Sequence, residues 1–210
     1  MDLFIGRDVI KHSLKYVKGS TLDYGSGIGK YRNYIEPIAE KYSTFDYSPQ
    51  SGADILGQAQ SSPYEDCSFD TLFCTQVLEH VEAPWKVVNE MFRILRPGGY
   101  CIVTAPFCIP YHEDPQDLFR YTRQGLCWLL KDSGFEIIES GAYGGFFVTI
   151  SEFVRFSFFN PYRPQRRGEF RLMSMIQSMA IFFDRRSLNP KIYPNSYVIA
   201  KKEGGSPISA

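Results

Sequence analysis

Short apolar runs alternate along this chain with longer stretches whose apolar residues recur at helical spacing. Residues 69–75 read as a buried strand, and residues 20–24, 41–46, 100–106, 135–140 and 195–202 read as further strands, with a short one inside 54–58. Between them, residues 8–18, 29–40, 84–95 and 123–133 suit helices. In the third of these, Trp85, Val88, Met91, Phe92 and Leu95 share one face, and Arg96-Pro97-Gly98-Gly99 stops the helix, since proline cannot continue it and glycine closes it. Strands alternating with helices predict an α/β fold with a doubly wound, parallel sheet.

The alternation breaks down between 140 and 195, where about fifty residues separate two strands that a short turn could join. Phenylalanines from Phe146 to Phe183 are interleaved there with Arg155, Arg163, Arg166, Arg167, Arg171, Arg185 and Arg186. Leu172, Met175, Ile176, Met179 and Phe183 fall at helical spacing and predict an amphipathic helix. We expect a single domain over 1–202 in which residues 146–190 form a helical cap that lines the pocket and offers a candidate homodimer face. A rival expectation is peripheral membrane contact through 146–186, or recognition of a lipid-linked, anionic acceptor. Residues 203–210 are expected to be a disordered tail.

Composition narrows the class. The 210 residues carry no formal net charge, with 44% hydrophobic and 22% charged positions, so nothing global points to nucleic acid. Arginine interleaved with aromatics suits single-stranded nucleic acid, but no recognition motif accompanies it, and no such partner is expected. Cysteines at 67, 74, 101, 108 and 127 form no CxxC pair. Their odd number, with no apolar leader and no apolar run of ~18–20 residues, favours a reduced, cytoplasmic protein.

The chemistry concentrates in Leu22-Asp23-Tyr24-Gly25-Ser26-Gly27-Ile28-Gly29, a strand end running into a glycine-rich turn. A phosphate-binding GxxxxGK[ST] loop fails here, because Tyr24 and Tyr31 stand where a glycine and a hydroxyl are required. A dinucleotide GxGxxG loop fails at Lys30. What remains is GxGxG behind a carboxylate, which suits a cationic ligand and repels a pyrophosphate. S-adenosyl-L-methionine, with an ammonium and a sulfonium and no phosphate, fits that requirement.

With Ser68-Phe69-Asp70, Val77-Leu78-Glu79-His80-Val81 and Arg93-Ile94-Leu95-Arg96-Pro97-Gly98-Gly99 following in order, the chain resembles class I S-adenosylmethionine-dependent methyltransferases of the ubiquinone/menaquinone-biosynthesis-like group over roughly residues 20–140. The resemblance implies a Rossmann-like seven-stranded sheet whose last strand is antiparallel. It also implies donor contacts from Asp23, Tyr24, Gly25, Ser26, Gly27 and Gly29 in the turn, and from Asp46 and Tyr47, the first of which would hold the ribose. Gln76, Val77 and His80 would add to them. Where the family commonly carries a GDA-like triplet against adenine, this chain reads Gly57-Gln58-Ala59; the Gln58 amide oxygen can accept the same bond, beside Ala59. Asp70 and the stretch 93–99 are read as structural.

After residue 106 the chain runs Phe107-Cys-Ile-Pro-Tyr111-His112-Glu113-Asp114-Pro-Gln-Asp117-Leu-Phe-Arg120-Tyr121-Thr122. Related methyltransferases show a similar stretch beside the acceptor. Methyl transfer needs alignment and, for some acceptors, removal of a proton. His112 is the base candidate, because imidazole titrates near neutrality, and Tyr111, Asp117, Arg120 and Tyr121 would orient the acceptor. A local reading competes: Asp117 and Arg120 can pair at i,i+3, and Thr122 can cap a helix. No metal is expected, since the adjacent His112, Glu113 and Asp114 rarely converge on one ion. The expected activity is methylation of a small-molecule or lipid-linked acceptor, on oxygen. The rivals are a non-catalytic donor-binding partner subunit and a nicotinamide-dependent oxidoreductase or epimerase.

Overall fold

The computed structural model describes residues 3–112, 116–159, 167–186 and 191–204. Glu113, Asp114, Arg163, Arg166 and the last six residues of the expected tail lie outside them. Seven strands form one sheet: β1 (Ser20–Tyr24), β2 (Lys41–Asp46), β3 (Ile55–Leu56), β4 (Phe69–Thr75), β5 (Leu95–Pro106), β6 (Glu136–Tyr143) and β7 (Asn195–Lys201). Their order across the sheet is β3-β2-β1-β4-β5-β7-β6. The first five pair in parallel, and β7 runs antiparallel between β5 and β6. This is the seven-stranded, mostly parallel sheet expected.

Among the described residues six α-helices accompany it: α1 (Gly6–Ser13), α2 (Arg32–Ile35), α3 (Pro84–Ile94), α4 (Arg123–Asp132), α5 (Phe146–Phe158) and α6 (Arg167–Asp184). Successive strand residues face opposite sides, so each central strand feeds two cores. Leu72, Cys74, Cys101, Val103, Val198 and Ala200 pack with α3 and α4 on one side. Phe73, Ile102 and Ile199 meet Val9 and Ile10 of α1 and Ile35 of α2 on the other.

Three local expectations need correction. The helix expected over 29–40 shrinks to Arg32–Ile35. Gly27 and Gly29 take left-handed φ values of 51° and 70° ahead of it, and Pro37 lacks the amide to extend it. In α3 the buried face is Pro84, Val87, Val88, Met91 and Ile94, whereas Trp85 is about half exposed. The stretch 96–99 belongs to β5, with a register shift opposite Phe69 and Thr71. Asp70 has the structural role expected, accepting from the Ser20 amide at 2.9 Å and pairing with Arg96.

Candidate active site

In open α/β sheets ligands bind beyond the carboxyl ends of the strands where the strand order reverses. Here the chain winds outward from β1 through β2 to β3 and then returns to β4 on the other side, so that point lies between β1 and β4. A cavity of about 1100 Å³ opens there, lined by Gly25, Gly27, Asp46, Gln58, Val77 and His80 among others.

The glycine turn forms its floor. The Gly25 and Ser26 amides donate to the Phe45 carbonyl at 2.8 and 3.1 Å, folding the turn back on β2. Gly25 has φ 76°, and a Cβ there would stand 2.3 Å from Val77 Cγ2, so two separate constraints exclude a side chain. Gly27 faces open space. Asp46 ties the parts together: one carboxylate oxygen accepts from the Gly27 amide and the other from the Ser48 amide, both at 2.8 Å. Each oxygen retains lone-pair capacity toward the cavity.

Gln76, across from the turn at the end of β4, has a positive φ of 56°, a costly conformation for a residue with a side chain. Its side-chain amide donates to Thr104 Oγ1 and Tyr143 Oη, which fixes the group at the cavity wall. Tyr47, Gln58 and Ala59 complete the side nearest β2 and β3. Lys30 stands at the rim beside Tyr31.

Four residues of the turn assigned to donor contact from the sequence lie elsewhere. Tyr24 is wholly buried, packs on Phe45 and donates to the Ala59 carbonyl at 2.7 Å, so its side chain belongs to the core. Asp23 lies beneath the turn, 2% exposed, and accepts from Tyr42 Oη at 2.9 Å. Burial, with Asp46 nearby, pushes its carboxyl up to about 6. Ser26 and Gly29 also stand off the cavity lining.

Of the five acceptor-side residues, the structure brings His112 alone into the cavity wall. Tyr111 points outward, 66% exposed. Asp117 is nearly enclosed; it pairs with Arg120 and accepts from the His112 amide at 2.9 Å. Burial raises the Asp117 carboxyl, but the Arg120 guanidinium and that amide outweigh it and hold it below the usual range. Tyr121 is buried and donates to the Leu78 carbonyl at 3.1 Å. Thr122 caps α4 by accepting from the Gly125 amide. The local reading of this segment therefore accounts for Asp117, Arg120 and Thr122, and with the buried Tyr121 they brace the loop that presents His112. Burial lowers the His112 ring below its ordinary value, so it is neutral at neutral pH.

Further wall residues come from the N-terminal segment, which carries no signal in the sequence, and from α5 and α6, which lie within the expected cap. Phe4, Ile5 and Gly6 reach the cavity from the start of α1. Ser151, Glu152 and Phe156 of α5 and Met173, Ile176 and Gln177 of α6 close it from above. Glu79, one residue before His80, is wholly buried, and neither carboxylate oxygen has a hydrogen bond among the described residues. Burial pushes it up to about 8, with the Arg120 charge too weak to offset it.

The floor fits S-adenosylmethionine. Asp46 offers free acceptor capacity for ribose hydroxyls, Gln58 an amide for adenine, and Val77 and Ala59 an apolar slot, with Lys30 available to the donor's carboxylate. Residues 22–103 match the family described as methyltransferase domain. A protein named "Probable S-adenosylmethionine-dependent methyltransferase" from Mycolicibacterium smegmatis is 30% identical over 142 residues, which cover 59% of this chain and 55% of that one. An "Uncharacterized methyltransferase" of Mycobacterium leprae is 29% identical over 103 residues, covering 41% and 38%. The match thus spans about half or less of the length of these curated relatives.

Among solved structures, the fold is similar to a methyltransferase of Archaeoglobus fulgidus (TM-score 0.61, 14% identity, covering 94% of this chain and 95% of that one). It is also similar to phosphoethanolamine N-methyltransferase 2 of Haemonchus contortus in complex with S-adenosyl-L-methionine (TM-score 0.61, 13%, 96% and 54%). A third similar structure is a [4+2]-cyclase, SpnF (TM-score 0.62, 19%, 94% and 80%). The sheet order and the cleft at its reversal point accord with the match of residues 22–103 to the methyltransferase-domain family, a match that covers less than half of this chain.

Proposed function

We propose that this chain is a methyltransferase that takes its methyl group from S-adenosylmethionine and delivers it to an acceptor held between the glycine turn and the α5–α6 cap. The observation that carries this is Asp46, a carboxylate at the end of β2 that grips the glycine turn through the Gly27 amide while facing the cavity. Bound there, the donor supplies an electrophilic methyl on a sulfonium. The chain's own residues then have mainly to align the acceptor and exclude water. Gly25 and Gly27 allow close approach of the donor to the main chain. Phe156 and Met173 supply apolar wall on the acceptor side, and His112 and His80 are the polar groups there.

The acceptor reading favours an oxygen nucleophile on a molecule with an apolar part. Phe153, Phe158, Phe170, Met175, Met179 and Phe182 of α5 and α6 are each more than 40% exposed. Such a face supports peripheral contact with a lipid surface from which a lipid-linked acceptor could enter beneath the cap. Among the described residues no helix is long and apolar enough to cross a membrane. Flotation with anionic vesicles tests the contact: co-flotation is expected, and full recovery at the bottom of the gradient speaks against it.

Calorimetry with S-adenosylhomocysteine and with NAD tests the donor. Binding of the first and not the second is expected, and the reverse order refutes the proposal. Transfer of labelled methyl into a lipid or small-molecule extract then separates an enzyme from a donor-binding subunit. That control matters because a [4+2]-cyclase shares this fold.

A further inference from the structure

Beside the donor floor, Glu79, His80 and His112 bring one ligand-type atom each within 4.8 Å of one another. Glu79 and His80 lie in the short helical turn Leu78–His80 after β4, and His112 comes from the loop after β5. The two imidazoles stand edge to face with centroids 5.2 Å apart, and both line the cavity.

We propose that these three residues form a binding site for a divalent transition-metal cation, with the remaining coordination positions open to the acceptor side of the cavity. Glu79 is the first ground. It is wholly buried, and both its oxygens lack hydrogen bonds among the described residues, an unsatisfied polar group that coordination of a metal would satisfy. The second ground is the tautomer of His80. Its Nδ1 contacts the Gln116 carbonyl oxygen, which can only accept, so Nδ1 carries the proton. In the neutral ring Nε2 is then a bare lone pair, and it stands 3.7 Å from Glu79 Oε1. The gap is too long for a hydrogen bond from the Glu79 acid and leaves both atoms available to a cation between them.

The third ground is the outer shell. Ligating histidines nearly always have their other ring nitrogen held by a carbonyl or carboxylate. His80 has the Gln116 carbonyl, and Gln116 Nε2 returns a bond to the His80 carbonyl at 2.9 Å. The Nδ1 of His112 makes no hydrogen bond among the described residues, but Asp117 Oδ2 stands 3.4 Å from it, and Asp117 is in turn held by Arg120. The segment 117–120 thus acquires a purpose beyond bracing: it orients a ligand.

Two imidazoles and one carboxylate suit Mn²⁺, Co²⁺ or Zn²⁺ and disfavour Mg²⁺ and Ca²⁺, which prefer all-oxygen sets. On this reading His112 is a ligand in place of a general base, since a ring nitrogen bound to a cation cannot take a proton. The site complements the methyl-transfer reading but does not depend on it, because it can be filled and measured without donor or acceptor.

The test is a titration of chelator-stripped full-length protein with Co²⁺, followed by calorimetry and by the visible absorption of the ion. One equivalent is expected to bind, with a band showing nitrogen ligation, and millimolar Mg²⁺ should not displace it. His112→Ala, in a loop, and Glu79→Gln, which keeps the buried volume, should each weaken binding at least tenfold. Far-UV circular dichroism confirms the fold of each, and His80→Asn replaces either variant that fails it. Lack of one-to-one uptake, or equal affinity in wild type and the folded variants, overturns the proposal. Displacement by Mg²⁺ overturns the assigned class of metal.

Discussion

Single side chains at the cavity floor combine binding with structure, and their substitutions should reveal both. Asp46→Ala removes an acceptor that lines the cavity and also frees the Gly27 and Ser48 amides. Hydrogen bonds to charged groups contribute about 1.5–3 kcal/mol each, so S-adenosylhomocysteine affinity should fall at least tenfold. A lowered melting temperature should accompany it, and unchanged affinity by calorimetry would remove Asp46 from the donor site. Asp23 makes the opposite kind of prediction. Its carboxyl titrates near 6 in the folded protein against an ordinary 3.8, so between those values the folded state holds more protons than the unfolded chain. Stability from this group therefore falls as pH rises from about 4 to 6 and stays low above that, by about 3 kcal/mol at most. Asp23→Asn keeps an oxygen to accept from Tyr42 and should raise the melting temperature at pH 8. That gain should vanish below about pH 4; a gain independent of pH would mean burial of the charge is not its cause.

Helices and strands raise the question of what holds the cap in place. The first turn of α5 has amides with no partner within the helix, and Gly145 before it has no side chain to cap them. Asp184, at the far end of α6, accepts from the Gly145, Phe147 and Val148 amides at 3.0, 2.9 and 2.8 Å. Asp184→Ala should cost about 1–3 kcal/mol locally. Hydrogen exchange should show the Gly145, Phe147 and Val148 amides losing protection while β4 and β5 keep theirs; unchanged protection at those amides would show that the cap is held otherwise. The stripe Leu172, Met175, Ile176, Met179 and Phe183 illustrates the limit of reading spacing. Periodicity correctly marks α6 as amphipathic, yet four of the five are exposed, and the inward residues are Met173, Ile176, Gln177, Ala180 and Asp184. The wider apolar surface of this helix left its inner face ambiguous. Trp85 misleads in the same way, because α3 also turns its apolar Val87 and Ile94 inward.

Distant parts of the molecule share the cleft, whose walls are drawn from the N-terminal segment, the strand ends and the α5–α6 insertion. A ligand filling it should therefore stabilise the chain globally. At a hundred times the dissociation constant, S-adenosylhomocysteine should add about 2.7 kcal/mol. For a chain of this size, thermal denaturation should shift upward by roughly 5–10 °C. NAD at equal concentration should leave the transition in place, and an equal shift with NAD would contradict the donor assignment.

Much of this architecture is local in origin and so could be read in advance. Strand periodicity, the GxGxG spacing and the carboxylate at Asp46 are properties of neighbouring residues, and they suffice for the strands and the turn. Which neighbour a side chain meets across the fold is another matter. Tyr24 leaves the ligand for the core because alternation on β1 points it at Phe45, and Asp117 turns to Arg120 because both are enclosed by the loop they brace. Asp184 reaches α5, and Glu79 and His80 meet His112, across gaps of about thirty residues or more. Such encounters depend on packing that fixes distant segments together, and no spacing along a chain encodes them.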